Sequence, residues 1–257
     1  MRETSLQSKI YGHRGARAER PENTMEGFHH AKSLGLRGIE TDIAMTRDFV
    51  PVLHHDAALP DGRLIKSLNY NELPKHIPTL DEAVHGVPDI DWLLEIKTYP
   101  PHPDHTNPPA QMVERLLTDL ADIDPARLRI LAFDWSVLRI IAQQAPGLRR
   151  VCLTEPKTVA ARDLWWGPDF DGLTLPEAVA ASGASGWAAY HATLTEPEIS
   201  AAKALGLEVF AWTVNDLPSF HRLSPHIDGT ITDCPSSFLS ALLPDSAPPA
   251  SMLGNKA

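Results

Sequence analysis

Two patterns of hydrophobic and polar positions alternate along this chain. Short apolar runs of about four to eight residues indicate buried strands, and longer runs with a helical period follow most of them. The strand pattern predicts Lys9–Gly12, Gly38–Met45, Trp92–Lys97, Leu128–Phe133, Arg150–Thr154, Gly186–Tyr190, Glu208–Val214 and Gly229–Thr232. The helical pattern predicts Thr24–Leu34, Leu80–His85, Ala110–Leu120, Ser136–Gln144, Val159–Leu164, Glu196–Leu205, Leu217–Leu223 and Ser236–Leu242.

This alternation predicts an α/β fold with a parallel sheet. Eight strand–helix pairs without a linker favour a TIM-type (β/α)8 barrel, and a doubly wound open sheet is the structural alternative. Residues 1–243 would form one barrel domain, with a short, irregular and polar excursion at about 56–78 above it. Residues 244–257 are proline-rich and poor in apolar residues, so we expect a disordered tail. Asn23 is the expected N-cap of the first predicted helix, with Glu26 completing a capping box.

Composition narrows the choice of partners. The 257 residues are 43% hydrophobic, enough for a large core, and carry a net charge of −10. Such a charge argues against nucleic acid or an anionic membrane surface as the main partner. Cys152 and Cys234 form no disulfide framework, and we see neither a signal peptide nor a membrane span. We therefore expect a cytoplasmic protein without stable membrane insertion, whose oligomeric state the sequence leaves open.

Acidic residues on two neighbouring strands are the first candidates for chemistry. Glu40 and Asp42 lie two apart in Gly38–Met45 and share a face, where unpaired carboxylates inside a barrel would repel each other. A divalent cation bound between the two carboxylates would most simply neutralise this repulsion. Glu95 and Lys97 share a face at the end of the next strand, where barrel enzymes build their sites, so Glu95 could be a third ligand and Lys97 a phosphate contact. The alternatives are acids in water on a half-exposed strand and an internal Glu95–Lys97 ion pair.

Histidine, arginine and tryptophan residues at other strand ends add to these candidates. His13 suits proton transfer, and the planar fork of Arg14 suits two phosphate oxygens. His54 and His55 close another short extended run, and periodicity alone does not choose between them. Trp212 ends a late strand, where it could bind substrate as a pocket wall or serve as a core aromatic. Any anionic substrate of this acidic chain would need such local positive charge.

Taken together, these segments resemble the signature of the glycerophosphodiester phosphodiesterase family. The resemblance spans Ile10 to about Leu242, and its specificity comes from six motifs in the family order rather than from any one of them. The motifs are His13-Arg14-Gly15, Pro21-Glu22-Asn23-Thr24, Glu40-x-Asp42, His55-Asp56, Glu95-Ile96-Lys97 and Trp212-Thr213-Val214-Asn215, and Thr232-Asp233-x-Pro235 is similar too.

The resemblance implies a TIM-type barrel with Mg²⁺ or Ca²⁺ that hydrolyses glycerophosphodiesters to sn-glycerol 3-phosphate and an alcohol. It favours His55 over His54, since the family histidine directly precedes an aspartate. The family usually has an Arg-Thr-Thr-like run and a longer capping insertion after this motif, whereas this chain has a shortened one. By position, the resemblance assigns metal binding to Glu40, Asp42 and Glu95, acid–base catalysis to His13 and His55, and phosphate binding to Arg14 and Lys97.

Two other functional classes remain as alternatives at this point. Phospholipases C and D that act on lipid use similar barrels with paired histidines, but they are usually exported, often with disulfides. A barrel retained as a non-catalytic binding module would tolerate the loss of site residues, whereas all seven expected residues are present. We therefore expect a metal-dependent phosphodiesterase whose partner is a small-molecule substrate.

Overall fold

A closed barrel of parallel strands forms the centre of the molecule. The computed structural model describes residue 6 and residues 9–242, so the predicted tail at 244–257 lies outside the described residues. The strands, numbered in chain order, are β1 Ile10–His13, β2 Gly38–Met45, β3 Pro51–Leu53, β4 Asp91–Ile96, β5 Leu128–Ala132, β6 Arg149–Thr154, β7 Gly186–Tyr190, β8 Glu208–Trp212 and β9 Gly229–Thr232.

Strand pairing closes the sheet on itself. β1 pairs in parallel with both β2 and β9, and each remaining barrel strand pairs in parallel with its neighbours in the order β2-β4-β5-β6-β7-β8-β9. β3 stands outside this ring and pairs antiparallel with the end of β2, with Ile43 opposite Leu53. The predicted (β/α)8 barrel is thus confirmed, and β3 is an addition to the eight predicted strands.

Helices surround the barrel and bury its outer face. Ile39 and Ile43, on the opposite face of β2 from Glu40 and Asp42, are buried in the main hydrophobic core beneath these helices. Within the described residues, no helix is both long and apolar enough to cross a bilayer. The α-helices there are Met25–Ser33, Leu80–Gly86, Pro109–Asp119, Trp135–Gln144, Pro156–Ala160, Arg162–Trp165, Leu175–Ala181, Glu196–Ala204, Leu217–Leu223 and Pro235–Leu242.

Inward-facing side chains fill the barrel in layers. At the amino-terminal ends of the strands, Arg129 donates hydrogen bonds of 2.9 and 2.7 Å to Glu208 and lies 3.5 Å from Asp91. Gly38 makes room for the ring of Tyr11 above these charged residues, because a Cβ at position 38 would lie 2.5 Å from that ring. Above them lies an apolar cluster that consists of Tyr11, Leu93, Leu131, Val151, Leu153, Ala188, Phe210 and Ile231. These two layers leave only the carboxyl ends of the strands for a ligand.

The segment after β3 forms a small structure of its own. It contains the 3₁₀ helices Ile65–Ser67 and Tyr70–Glu72 and is tied to the barrel by a 2.8 Å hydrogen bond from Arg47 N to Leu68 O. Its hydrophobic side chains form a separate cluster with residues of β2 and β3, composed of Ala44, Val52, Leu59, Ile65, Leu68, Leu73 and Ile77. The segment therefore has a small hydrophobic cluster of its own beside β2 and β3.

Three details of the helix prediction were wrong. The predicted helix Val159–Leu164 is two short helices, Pro156–Ala160 and Arg162–Trp165, because the backbone at Ala161 departs from helical geometry. The helix Leu175–Ala181, capped by a Thr174–Glu177 box, was missed. The first helix begins after Thr24, whose hydroxyl accepts a hydrogen bond from Gly27 N, so Thr24 is its N-cap and Asn23 is not.

Candidate active site

The carboxyl ends of β2 and β4 bring three carboxylates together. Asp42 and Glu95 are register partners, and Glu40 lies two residues before Asp42 on the same face. All three side chains are buried, and one oxygen of each lies within 4.8 Å of the others. Three carboxylate oxygens at such separations form the kind of donor set that hard divalent cations prefer.

Electrostatics at this acidic cluster favour a bound cation. Burial and the charges of Asp42 and Glu95 raise the pKa of Glu40 well above its usual range. Burial also raises the pKa of Glu95, although Lys97 opposes it. Burial would raise the pKa of Asp42 as well, but the positive charges around it, Lys97 foremost, outweigh burial and lower that pKa. Glu40 is thus the carboxylate whose charge the protein itself compensates least, and the three residues fit a divalent ion.

Two basic side chains flank the carboxylates. Lys97 Nζ donates to Glu95 Oε1 at 2.8 Å and lies 3.3 Å from Asp42 Oδ1. Burial would lower the pKa of Lys97, but Glu95 and Asp42 outweigh burial and raise it, so the ammonium stays charged. Arg14 Nη1 donates to Glu22 Oε1 at 2.9 Å. Arg14 Nε is buried 3.2 Å from Asp42 Oδ2 but without hydrogen-bond geometry, so its N–H remains available to a ligand oxygen.

The imidazole of His13, the last residue of β1, is held in place by a series of hydrogen bonds. His13 Nδ1 donates to Asp233 Oδ1 at 2.5 Å, and His13 Nε2 lies 3.8 Å from Glu40 Oε2. Asn215 donates from Nδ2 to Asp233 Oδ2 at 2.7 Å and accepts from Asp233 N at 2.9 Å. The Asp233 carboxylate therefore fixes which ring nitrogen carries the proton and leaves Nε2 toward the acidic cluster.

The other imidazole comes from the segment after β3. His55 lines the cavity above the acidic cluster, and its Nδ1 donates to Asp56 Oδ1 at 2.8 Å. Burial, followed by the charge of Lys97, lowers the pKa of His55 and favours the neutral ring. His54 is directed elsewhere: its Nδ1 donates to the Asp56 carbonyl at 2.9 Å, and it is not among the cavity-lining residues.

The cavity has a polar and an apolar half. Its volume is about 190 Å³, and the charged residues described above lie in β1, β2 and β4 or directly follow β1 and β4. Trp212 stands in the apolar half, where its Nε1 donates to Ala188 O at 3.1 Å and its ring meets Phe133 edge to face at 5.5 Å. The apolar lining comes from Leu131, Phe133, Leu153, Trp212 and Ile231. All eight predicted site residues line this one cavity: His13, Arg14, Glu40, Asp42, His55, Glu95, Lys97 and Trp212.

Residues that were not predicted to belong to the site hold its side chains in place. Asn23 adopts a left-handed backbone with φ 51°, donates from Nδ2 to Asp42 Oδ2 at 3.0 Å and accepts from Thr41 Oγ1 at 2.7 Å. Sequence reasoning assigned no role to Asp233 or Asn215 either. The available signal was position, since Asp233 directly follows β9 and Asn215 lies three residues after β8, at the end where the site forms.

Comparisons with known proteins agree with this geometry. The model of the glycerophosphoryl diester phosphodiesterase family matches residues 13–237. A glycerophosphodiester phosphodiesterase of Caldanaerobacter subterraneus subsp. tengcongensis is 26% identical over 91% of this chain and 98% of its own length. A solved structure from Silicibacter pomeroyi, assigned to the glycerophosphoryl diester phosphodiesterases, is 30% identical with a TM-score of 0.76, over 91% of this chain and 92% of that one.

A third similarity, at 22% identity, concerns the fold alone. It is to an Oleispira antarctica phosphodiesterase solved in complex with its product sn-glycerol-3-phosphate, with a TM-score of 0.77 over 93% of this chain and 98% of that one. The barrel and its polar cavity define the class, a TIM-barrel enzyme with its site at the carboxyl ends of the strands. The family match identifies it further: the chain belongs to the glycerophosphoryl diester phosphodiesterase family and is an enzyme of this type.

Proposed function

We propose that this enzyme hydrolyses glycerophosphodiesters to sn-glycerol 3-phosphate and an alcohol, with a divalent cation and two histidines. The observation that carries the proposal is the convergence of three buried carboxylates, two imidazoles and two basic side chains in one cavity. The name of the Caldanaerobacter relative and the product bound to the Oleispira enzyme point to the same substrate class. We assign the activity to residues 1–243 as one barrel domain.

Glu40, Asp42 and Glu95 would hold the cation, either Mg²⁺ or Ca²⁺, since both prefer oxygen ligands. When bound, such an ion polarises a phosphoryl oxygen and offsets the negative charge of the three carboxylates. The raised pKa of Glu40 supports this assignment, because its carboxylate is poorly compensated by the protein alone. Arg14 Nε, which has no hydrogen-bond partner among the residues that the structure describes, and Lys97 would bind the phosphoryl oxygens and stabilise the charge that builds on them.

The two histidines would divide the proton transfers. His55 has a lowered pKa and would enter the reaction neutral, as the base that takes the proton of the nucleophile. His13 would enter as the acid, because the Asp233 carboxylate can balance an imidazolium, and its Nε2 would give a proton to the leaving alkoxide. Each such group contributes roughly 10²–10⁴-fold in rate. The nucleophile is either water or the glycerol 2-hydroxyl, which would give a cyclic phosphate first.

The alcohol portion of the substrate would face the apolar half of the cavity. Trp212 and Phe133 pack edge to face there, and this fixed pair offers an apolar surface next to the polar half. We propose that Trp212 binds substrate in this way.

Release of sn-glycerol 3-phosphate from a panel of glycerophosphodiesters tests the proposal. We expect turnover of glycerophosphocholine or a related water-soluble diester, loss of activity with a chelator, and recovery with Mg²⁺ or Ca²⁺. Phosphorus NMR during turnover would reveal a cyclic phosphate if the 2-hydroxyl is the nucleophile. Hydrolysis of intact phosphatidylcholine vesicles with no activity on the soluble diesters would instead indicate a lipid phosphodiesterase and contradict the proposed substrate.

Three histidine variants test the assignment of the acid–base pair. His13→Ala and His55→Ala should each lose most of their turnover, by roughly 10²–10⁴-fold, while the thermal unfolding temperature changes little. The matched control is His54→Ala, which removes the neighbouring imidazole that does not line the cavity and should keep near wild-type activity. Wild-type activity in either cavity variant would refute the role given to that histidine.

A further inference from the structure

A second group of potential metal ligands lies outside the catalytic cavity. The loop between β4 and the helix Pro109–Asp119 carries His102, Asp104 and His105, and one ligand atom from each lies within 4.8 Å of the other two. The two imidazole rings stack with centroids 4.9 Å apart and an interplanar angle of 18°. None of these three residues lines the catalytic cavity, so the proposed reaction does not use them.

The loop holds these side chains on a restrained backbone. Five prolines occur between residues 99 and 109, and one of them, Pro103, lies between His102 and Asp104. Proline fixes its own φ and narrows the conformations of the preceding residue. Two successive turns bring the histidines together, with 2.8 Å from His102 N to Tyr99 O and 2.9 Å from His105 N to His102 O.

The two residues that follow His105 anchor the loop to the rest of the protein. Lys66 Nζ donates to Thr106 O at 3.3 Å, and Asn107 Nδ2 donates to Thr46 O at 3.4 Å. Thr106 itself is buried. A ligand would therefore find the two imidazoles and the carboxylate already close together, which reduces the entropy lost when all three are ordered around it.

We propose that His102, Asp104 and His105 form a surface site for a transition-metal cation of the Zn²⁺ type. Two imidazole nitrogens and one carboxylate oxygen are a donor set that suits Zn²⁺, Ni²⁺ or Cu²⁺, whereas Mg²⁺ and Ca²⁺ prefer oxygen ligands alone. Zn²⁺ bonds to such atoms are about 2.0–2.2 Å long, so binding requires the two stacked rings to rotate until one nitrogen of each and the Asp104 carboxylate point at the same ion. Solvent would supply the fourth position.

Calorimetric titration of the whole protein with Zn²⁺, in buffer with saturating Mg²⁺ and without an affinity tag, tests this site. We expect one Zn²⁺ to bind wild type and this event to disappear in H102A/H105A. Asp104→Asn should weaken it by at least the roughly 10–100-fold that loss of an outer-sphere partner costs. The control His85→Ala removes an exposed histidine that contacts Asp81 and Asp122. Among the described residues His85 belongs to no triad of converging ligand atoms, so this variant should bind Zn²⁺ like wild type.

A second pair of measurements distinguishes this site from the catalytic one. Glu40→Gln, which alters the barrel cluster, should keep the Zn²⁺ event, and Cu²⁺ bound to the wild type should show coordination by two nitrogens in electron paramagnetic resonance. The proposal is overturned if Zn²⁺ does not bind wild type, if H102A/H105A binds it unchanged, or if Glu40→Gln alone abolishes it. Circular dichroism would confirm that each variant remains folded.

Discussion

Asp233 Oδ1 lies 2.5 Å from His13 Nδ1 and joins the end of the last barrel strand to the end of the first. Burial would raise the pKa of the Asp233 carboxyl, but hydrogen bonds from His13 and Asn215 and electrostatic interactions with His13 and Arg17 together outweigh burial and lower it, so the partner of the imidazole is an ionised carboxylate. Asn215 holds the other carboxylate oxygen. A negatively charged and fixed acceptor orients the ring of His13 and holds its Nε2 toward the acidic cluster.

Replacing this acceptor should impair proton transfer more than substrate binding. In Asp233→Asn we expect kcat to fall by as much as about 10²–10⁴-fold with KM little changed, because the amide cannot balance an imidazolium. The pH dependence of kcat should shift as well, which a merely structural role would not cause. Asp233→Glu should recover part of the rate, and Asp171→Asn, at an exposed position, is the control. An unchanged pH profile would argue against this positioning role.

Cation binding should be linked to the unusual ionisation of Glu40. Its pKa is raised well above the usual range by burial and by the neighbouring carboxylates, so without an ion Glu40 retains a proton to higher pH than an exposed glutamate does. Binding a cation must displace this proton. We therefore expect Mg²⁺ or Ca²⁺ to bind with proton release and more weakly as pH falls, which calorimetry in buffers of different ionisation enthalpy would measure.

The matching variant is Glu40→Gln, in which position 40 no longer carries a carboxyl group that must lose a proton. This protein should lose the rise in unfolding temperature that the cation gives wild type. Its chelated form should be at least as stable as chelated wild type, since a buried carboxyl that is costly to ionise is replaced by a neutral amide. Glu196→Gln, at an exposed position, is the control. A cation-dependent stabilisation of Glu40→Gln equal to that of wild type would exclude Glu40 as a ligand.

The ionisation of His55 gives a further test of its role as a base. Burial and Lys97 lower its pKa, so in the chelated protein its midpoint should lie below the ordinary value of about 6.5, and the neutral ring predominates above that midpoint. The hydrogen bond to Asp56 opposes these effects and raises the pKa. Asp56→Asn should therefore move the midpoint of His55 further down, as NMR titration of the imidazole would show. A midpoint that moves up would contradict this account.

Sequence periodicity predicted the barrel well because each barrel strand is one short apolar run. The predicted and observed bounds of β2, β7 and β9 are identical, and the bounds of the other barrel strands differ by one or two residues at one or both ends. Alternation also placed Glu40 and Asp42 on one face, and the structure shows that face directed into the barrel. These features follow from local pattern, since side-chain direction in a strand depends only on position along it.

Contacts between distant segments were not predictable in this way. Asn23 looked like a helix cap because it precedes a helix, but its side chain bonds Asp42 and leaves capping to Thr24. The bond between Asp233 and His13 joins residues 220 positions apart, and no local pattern contains that separation. Likewise, periodicity did not choose between His54 and His55, because the choice depends on how the chain turns above the barrel.

The correction at the first helix leads to a paired prediction for neighbouring residues. Thr24→Ala removes the hydroxyl that accepts from Gly27 N and should lower the free energy of unfolding by about 1 kcal/mol without changing kcat/KM. Asn23→Gly keeps a residue that tolerates the observed φ of 51° but removes the hydrogen bond to Asp42. Because Asp42 is a proposed ligand, we expect weaker cation binding and lower kcat/KM in this variant.

Chemical denaturation and steady-state kinetics on both variants separate the two effects. Loss of stability with full activity in Thr24→Ala identifies Thr24 as the cap. Loss of activity that excess cation partly restores in Asn23→Gly identifies Asn23 as the residue that orients the proposed ligand Asp42. The opposite pattern, an inactive Thr24→Ala and a fully active Asn23→Gly, would return the capping role to Asn23 and remove it from the site. Asn23 lies in the segment that connects β1 to the first helix. Its backbone N–H donates to Arg14 O at 3.0 Å and its side chain donates to Asp42 Oδ2, so the residue couples the backbone at Arg14 to the carboxylate of β2.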